Sequence, residues 1–299
     1  MSREIVGLTG ATGFVGRNIV QSLLEEGYHV HCLVREPSKA EHIKAPGVTL
    51  FKGDVTEKSS IDTAFLSGVS YLIHLVGIIS EAGTQTFKRV HFEGTKNIVD
   101  LAHEQGGIKK YVQMSALGTR SNARSQYHRT KWQAEEYVRV SELSFTVLRP
   151  SLIFGPDGEF IRTFADVIRK SPVVPAISSG GFYPVHVRDV ASCFVKALTA
   201  DETNGKTVPL GGRERLTLKE IIETLCRVMG KKRVVLPVPT TVIYPPALLM
   251  QSVLKRPPIT LDQLRMLGED NEYDIEETKK VFPDFNPIGF EEGLREFIE

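Results

Sequence analysis

The chain has 299 residues, 37 basic against 36 acidic side chains and a net charge of +1. It is long enough to bury a large core and carries neither the basic excess of a nucleic-acid footprint nor a polyanionic surface. One large α/β domain or two closely joined ones working on small molecules is the expectation, and Cys32, Cys193 and Cys226, scattered with no Cys-x-x-Cys pair, point with the lack of an export signal to a reducing, cytoplasmic setting.

The first predicted elements are an apolar strand, Ile5-Val6-Gly7-Leu8, a turn, Thr9-Gly10-Ala11-Thr12-Gly13-Phe14-Val15-Gly16, and a helical pattern from Asn18 closed by Gly27. Gly10 permits a sharp turn, Gly13 lets backbone approach a pyrophosphate, and Gly16 lets the helix lie close on the strand. The helix N-terminus adds free N–H groups for phosphate, so a dinucleotide site is predicted over residues Gly10, Thr12, Gly13, Phe14, Val15 and Gly16. No Gly-Lys-Ser/Thr closes the motif, which argues against a nucleoside-triphosphate loop.

Strand and helix patterns then alternate. Strands are expected at 30–34, 48–51, 71–75, 110–114 and 145–148, and helices at 60–66, 87–103 and 126–140, which predicts an α/β fold of the Rossmann type, a doubly wound parallel sheet covered on both faces. Beyond Arg149-Pro150 prolines and glycines multiply, so residues 1–150 read as the nucleotide-binding domain and 151–299 as a smaller, loop-rich α/β substrate or cap region, some of it returning to the sheet. Helices are expected there at 160–169, 189–198 and 218–228, the last with the capping box Thr217-x-x-Glu220. The acidic run 269–277 reads as a solvated turn before a helix capped by Asp274, with no function.

Residues 234–254 contain no charge over 21 positions, yet Pro237, Pro239, Pro245 and Pro246 argue against a membrane span. A buried strand and a short helix at 247–255, near the substrate cleft, are expected, with an apolar ligand wall, a partner surface or a membrane-touching face as other uses of the same stretch.

Tyr127 and Lys131 stand four apart on a predicted helix, the sole such pair among eight tyrosines, and so project from one face. A lysine ammonium beside a phenol favours phenolate, and proton exchange at neutral pH needs the phenol moved from about 10 towards about 7. Ser115 ends the strand 110–114, at the edge where open α/β sheets bind ligands, and its hydroxyl can donate to a carbonyl. At the end of the second strand, Arg35 can pair bidentately with a 2′-phosphate, Ser38 can donate and Lys39 adds a cation, which favours NADP(H) over NAD(H); if Glu36 faces the ribose instead, NAD is the choice. His29 and His31 share a strand face without a third ligand, and His74, His91, His128 and His186 are scattered, so no metal is expected.

Thr9-Gly10-x-x-Gly13-x-x-Gly16, Ser115, Tyr127-x-x-x-Lys131 and Arg149-Pro150-Ser151-x-x-x-Gly155 together resemble the extended and atypical short-chain dehydrogenase/reductase superfamily, epimerase/dehydratase-like, over nearly the whole chain. Within it, the short Ser115-to-Tyr127 gap, Arg149-Pro-Ser-Leu-Ile-Phe-Gly-Pro and the stretch 259–271 resemble the branch of the complex I nucleotide-binding accessory subunit and its stand-alone bacterial relatives. The resemblance implies Tyr127 as acid/base, Lys131 holding the nicotinamide ribose and lowering the tyrosine pKa, and Ser115 polarising the carbonyl. It also implies Asp54 and Val55 at the adenine, Leu75, Val76 and Gly77 by the adenosine ribose, Pro150 to Ile153 against the carboxamide, and His186 to Val190 on the substrate side, although a local helix start explains that last segment equally well.

The expectation is therefore an NADP(H)-dependent reductase or dehydrogenase of a fairly apolar carbonyl or alcohol. A non-catalytic NADP(H)-binding accessory or assembly protein and an NAD-dependent sugar-nucleotide epimerase or dehydratase are the alternatives. The expected partners are the dinucleotide and a small-molecule substrate, not nucleic acid, with room for peripheral association with a membrane or a respiratory complex.

Overall fold

The computed structural model describes residues 4–178, 180–254 and 259–298. Six strands and three helices alternate through the first half: β1 (Ile5–Thr9), α1 (Phe14–Glu25), β2 (His29–Val34), β3 (Val48–Lys52), β4 (Val69–His74), α2 (Gly94–Gln105), β5 (Lys110–Met114), α3 (Gln126–Arg139) and β6 (Phe145–Pro150). The second half adds β7 (Ile153–Phe154), α4 (Glu159–Lys170), β8 (Val173–Ile177), β9 (Val185–His186), α5 (Val187–Lys196), β10 (Lys206–Leu210), α6 (Leu218–Val228), β11 (Val234–Val238), α7 (Thr240–Val253), α8 (Leu261–Gly268), α9 (Ile275–Lys279) and α10 (Phe290–Arg295).

Seven strands form one parallel sheet in the order β10-β6-β5-β4-β1-β2-β3, so the chain returns from the second half to add its outermost strand, β10, beside β6. Runs such as Val6 to Thr9 and Tyr71 to His74 are buried because helices cover both faces. On one face Ile19 and Leu23 of α1 meet Val190 and Phe194 of α5; on the other Ile98 of α2 and Val138 of α3 pack with Phe65, Leu72 and Tyr111. A smaller core joins α4 and α6 beneath the two-stranded β8–β11 sheet, and the capping box of Thr217 and Glu220 starts α6.

Several local expectations change. The helix expected at 60–66 is two short 3-10 turns, Lys58–Ser60 and Thr63–Leu66, because Asp62 sits between them with its side chain capping Ala64 N–H. The helix expected at 87–103 begins as a π-helical turn, Lys88–Glu93, before α2, and that turn carries the buried His91. The uncharged stretch 234–254 forms a strand, but an exposed one, since among the described residues β11 pairs only with β8 and no layer covers its outer row. Its helix starts at Thr240, holds both Pro245 and Pro246, and buries Ala247 alone among its described side chains; Lys255, the expected end, lies outside the described residues.

The chain leaves β1 through Gly10 at φ +80° and enters α1 with almost no clearance. A Cβ at Gly16 would stand 2.1 Å from the Gly10 carbonyl oxygen and 2.8 Å from Ala11 Cα, both rigid backbone. Gly16→Ala is therefore expected to lower unfolding stability by about 1–3 kcal/mol or more, read as a lower urea midpoint at unchanged slope.

Candidate active site

The strand order reverses between β1 and β4, and open α/β sheets bind ligands in the crevice at such a switch point. The loops leaving these two strands touch: a Cβ at Gly10 would lie 3.2 Å from Leu75 Cβ and 3.3 Å from Val76 N, and the Leu75 N–H donates to Thr9 O at 3.2 Å. Gly13 caps α1 in ordinary extended geometry, φ −76° and ψ 171°, without a side-chain cap. A Cβ there would meet only the Gly10 carbonyl, at 3.4 Å, so neither the backbone nor the packing demands glycine. The N–H groups of Phe14, Val15 and Gly16 lie in the first turn, where no i−4 carbonyl exists, and Thr12 is exposed at its rim. Free donors, a positive helix end and a bare backbone fit a pyrophosphate.

Arg35 stands exposed just beyond β2, with no carboxylate at ion-pair distance among the described residues. Lys39 pairs with Glu36 at 2.7 Å and holds that carboxyl below its usual range. Of the two cations expected to meet a 2′-phosphate, Arg35 is thus the available one, while Lys39 and Glu36 offset each other. Ser38 is exposed in the same turn. Asp54 is turned inward upon its own loop, accepting from Thr56 N and Oγ1 at 2.9 and 2.8 Å, and Val55 is buried, with Asn97 Nδ2 on its carbonyl at 2.8 Å.

Across the switch point, Lys131 is 3% exposed and donates to Met114 O at 3.2 Å, immediately before Ser115. Gly77 provides its room, since a Cβ there would lie 2.8 Å from Lys131 Nζ. Ser115 is buried, donates its N–H to Leu148 O at 2.8 Å, and turns Oγ to Thr119 Oγ1 at 3.3 Å. The Tyr127 ring is walled by Phe87, His91 and His128 at centroid distances of 6.0, 5.2 and 5.1 Å. Burial pushes the phenol up to about 12 and Lys131 down to about 8, the latter partly restored by Glu135. The phenol is therefore raised where the resemblance implies a lowered one: burial is the cause, and Lys131 donates to Met114 O.

Two histidines complete the interior. His91 Nδ1 meets Thr130 Oγ1 at 2.9 Å and its Nε2 the Ile78 backbone, while His74 Nδ1 meets Thr9 Oγ1 at 2.6 Å. Burial, with Lys131 nearby, lowers both, His74 to about 3. They are neutral, and among the described residues no three His, Cys, Asp or Glu side chains cluster as metal ligands.

Sequence reasoning missed the groups that hold the start of α3. Asp262 of α8 accepts from the N–H groups of Gln126 and Tyr127 at 2.7 and 3.0 Å, and Glu269 accepts from those of Arg124 and Ser125 at 2.9 and 3.2 Å while pairing with Arg120. Glu269 is 4% exposed, which corrects the reading of 269–277 as a solvated turn throughout. These partners come from more than 130 residues away, so no local signal marks them. On the far side, Pro150 is buried with Leu117 N–H on its carbonyl at 2.9 Å, and Ile153 pairs with Val185 between β7 and β9. His186 caps Arg188 N–H at the head of α5 and Asp189 accepts from Ile288 N–H at 2.9 Å, so this segment anchors the C-terminal region locally.

A parallel sheet with a glycine cradle at its switch point defines a Rossmann-type dinucleotide-binding protein. The chain belongs to the NAD(P)H-binding family, whose profile matches residues 10–201, consistent with the extended short-chain dehydrogenase/reductase superfamily. It is similar to the Arabidopsis thaliana mitochondrial NADH dehydrogenase (ubiquinone) 1 alpha subcomplex subunit 9, 31% identical over 233 residues that make up 75% of this chain but 58% of that protein, so the chain spans little more than half of that relative. It is 29% identical over 233 residues to the ceramide reductase of Caulobacter vibrioides, covering 77% of this chain and 72% of that one. Its fold is shared with the dTDP-glucose 4,6-dehydratase of Bacillus anthracis solved with NAD, at a TM-score of 0.73 and 21% identity over 98% of this chain and 94% of that one.

Gly13→Ala is expected to leave the unfolding midpoint unchanged while weakening dinucleotide binding by about tenfold or more, measured by calorimetric titration, because its Cβ would occupy ligand space and not protein space. Glu269→Gln is expected to cost about 1–3 kcal/mol in a urea titration, since it loses charge-assisted bonds to two backbone donors.

Proposed function

We propose that the protein is an NADP(H)-dependent reductase or dehydrogenase acting on a carbonyl or alcohol of a fairly apolar small molecule. The observation that carries this reading is the grouping of Lys131, Gly77 and the strand end at Met114–Ser115 on the cradle side of the sheet, with Tyr127 one turn before Lys131 on α3. The bound dinucleotide would supply the hydride at its nicotinamide ring. Ser115 would donate to the substrate oxygen, Tyr127 would give its hydroxyl proton to that oxygen as it takes up charge, and Lys131, poised near neutrality, would return a proton towards the phenolate.

Gly10, Gly13, Gly16 and the first-turn N–H groups would hold the pyrophosphate, Asp54, Val55, Leu75 and Val76 the adenosine side, and Pro150 and Ile153 the nicotinamide side. Arg35, with Ser38 beside it, supports NADP(H) over NAD(H), because its guanidinium is exposed and in no close ion pair among the described residues, while Glu36 pairs with Lys39. Residues 1–150 would form the nucleotide half and 151–299 the substrate side.

A second reading, a non-catalytic nucleotide-binding accessory protein, is favoured by the likeness to a respiratory NADH dehydrogenase subunit. In that case the dinucleotide stabilises the fold by mass action.

Calorimetric titration of NADPH and NADH into wild type and Arg35→Ala, followed by turnover of apolar ketones and aldehydes by wild type and Tyr127→Phe, separates these. Wild type is expected to favour NADPH by at least about tenfold, with Arg35→Ala erasing the preference. Tyr127→Phe is expected to lower kcat by about 10²–10⁴ with dinucleotide affinity intact. A nucleotide that leaves only on unfolding, with equal absence of turnover in both proteins, would establish the accessory role instead.

A further inference from the structure

Eleven large hydrophobic side chains are prominently exposed among the described residues, and nine of them lie in one unit, β8, β11 and α7 with its C-cap Leu254. In the parallel β8–β11 pair Val173 is level with Val234 and Pro175 with Leu236, and all four face outward. Helix α7, which follows β11 and is tied to the exit of β8 by Thr240 Oγ1 on Ser178 O, exposes Val242, Leu248 and Val253 to 61%, 53% and 73%. Monomers rarely leave so many large apolar side chains of one region in water without a use for them.

The stretch of sequence that carries β11 and α7 has charge of one sign. Residues 224–261 contain Arg227, Lys231, Lys232, Arg233, Lys255 and Arg256 and no acidic residue, in a chain whose net charge is only +1. Because β8 and β11 run parallel, the residues leading into them, Lys170 and Lys231-Lys232, fall at the same end of the sheet. No described carboxylate pairs with these three lysines; Arg227 is held by Glu291, Arg169 by Asp166, and Arg233 by the Ile168 carbonyl.

We propose that this face seats on an anionic lipid bilayer, the outer row of β8–β11 and the exposed face of α7 entering the headgroup–acyl boundary while Lys170, Lys231 and Lys232 meet lipid phosphates. An apolar face with a basic rim is the combination that binds such membranes peripherally. A second copy of the chain is the poorer occupant, since an isologous contact would offer these lysines only the same patch, whose stretch 224–261 holds no acidic residue. Among the described residues no helix is long and apolar enough to span a membrane, so the contact is one of lying on the surface. This inference concerns a surface apart from the cradle and does not depend on the cofactor.

Flotation of the full chain with phosphatidylcholine vesicles, with and without phosphatidylglycerol, tests it, alongside Val242→Asp/Leu248→Asp and Lys231→Glu/Lys232→Glu. All four substituted positions are exposed, and an unchanged thermal midpoint and circular-dichroism spectrum would show that the variants fold. Wild type is expected to float with the anionic vesicles and to be released by high salt, the lysine variant to partition about tenfold more weakly, and the aspartate variant not to float. Failure of wild type to float, equal binding to uncharged vesicles, or normal flotation by folded aspartate variant would overturn the proposal. So would wild type eluting as a dimer that the aspartate variant converts to monomer, with no flotation by either.

Discussion

The close approach of α1 to the turn leaving β1 is the constraint on which the rest of the molecule depends. With no space for a Cβ at Gly16, the helix is pinned directly over the Gly10 carbonyl, and its first-turn donors are brought to the switch point of the sheet. The same turn abuts Leu75 and Val76, so the position of β4's exit loop follows from it, and through Gly77 so does the room allowed to Lys131. One backbone contact thus sets both the glycine cradle at the switch point and one wall of the crevice that holds Lys131.

Charge in the interior follows from that arrangement. Lys131 is a nearly buried cation whose desolvation is only partly offset by Glu135, because Glu135 is itself fully buried and engaged by Arg149 and Arg139. The Arg149 and Glu135 pair ties α3 to the end of β6, which keeps Lys131 at the crevice. His74 and His91 stay neutral beside it, so the crevice presents a cation, a helix N-terminus and neutral donors. An anionic ligand relieves the cost of burying Lys131 that the fold alone must bear, which is why such a site is best completed by phosphate or an oxyanion.

Much of this was legible because the signals were local. The glycine spacing, the strand runs of the first half and the Thr217-x-x-Glu220 capping box depend on neighbours a few residues apart, and the structure carries them nearly as expected. The π-helical turn at Lys88–Glu93 escaped because its residues still read as a helix, and the shift of hydrogen-bond partner that turns His91 inward has no composition signal. Glu269 looked solvated for a similar reason: acidic runs usually face water, and only tertiary structure brings the N-terminus of α3 to it. The 234–254 stretch failed differently. Lack of charge specifies that a segment avoids isolated ions, not that protein covers it, so burial and exposure share one sequence pattern.

That exposed stretch is nevertheless connected to the site. Helix α8 packs between α3 and α7. At one end of this relay Asp262 satisfies the N–H groups of Gln126 and Tyr127; at the other, Gln251 accepts from Leu261 N–H at 3.0 Å while Arg265 reaches the Tyr244 hydroxyl at 3.4 Å. The helix bearing Tyr127 and Lys131 therefore takes its N-terminal hydrogen bonds from an element whose opposite contacts belong to the apolar face. Orphan donors at a helix start must be satisfied for that end to hold its geometry, so the seating of α8 against α7 helps fix the first turn of the helix that carries Tyr127 and Lys131.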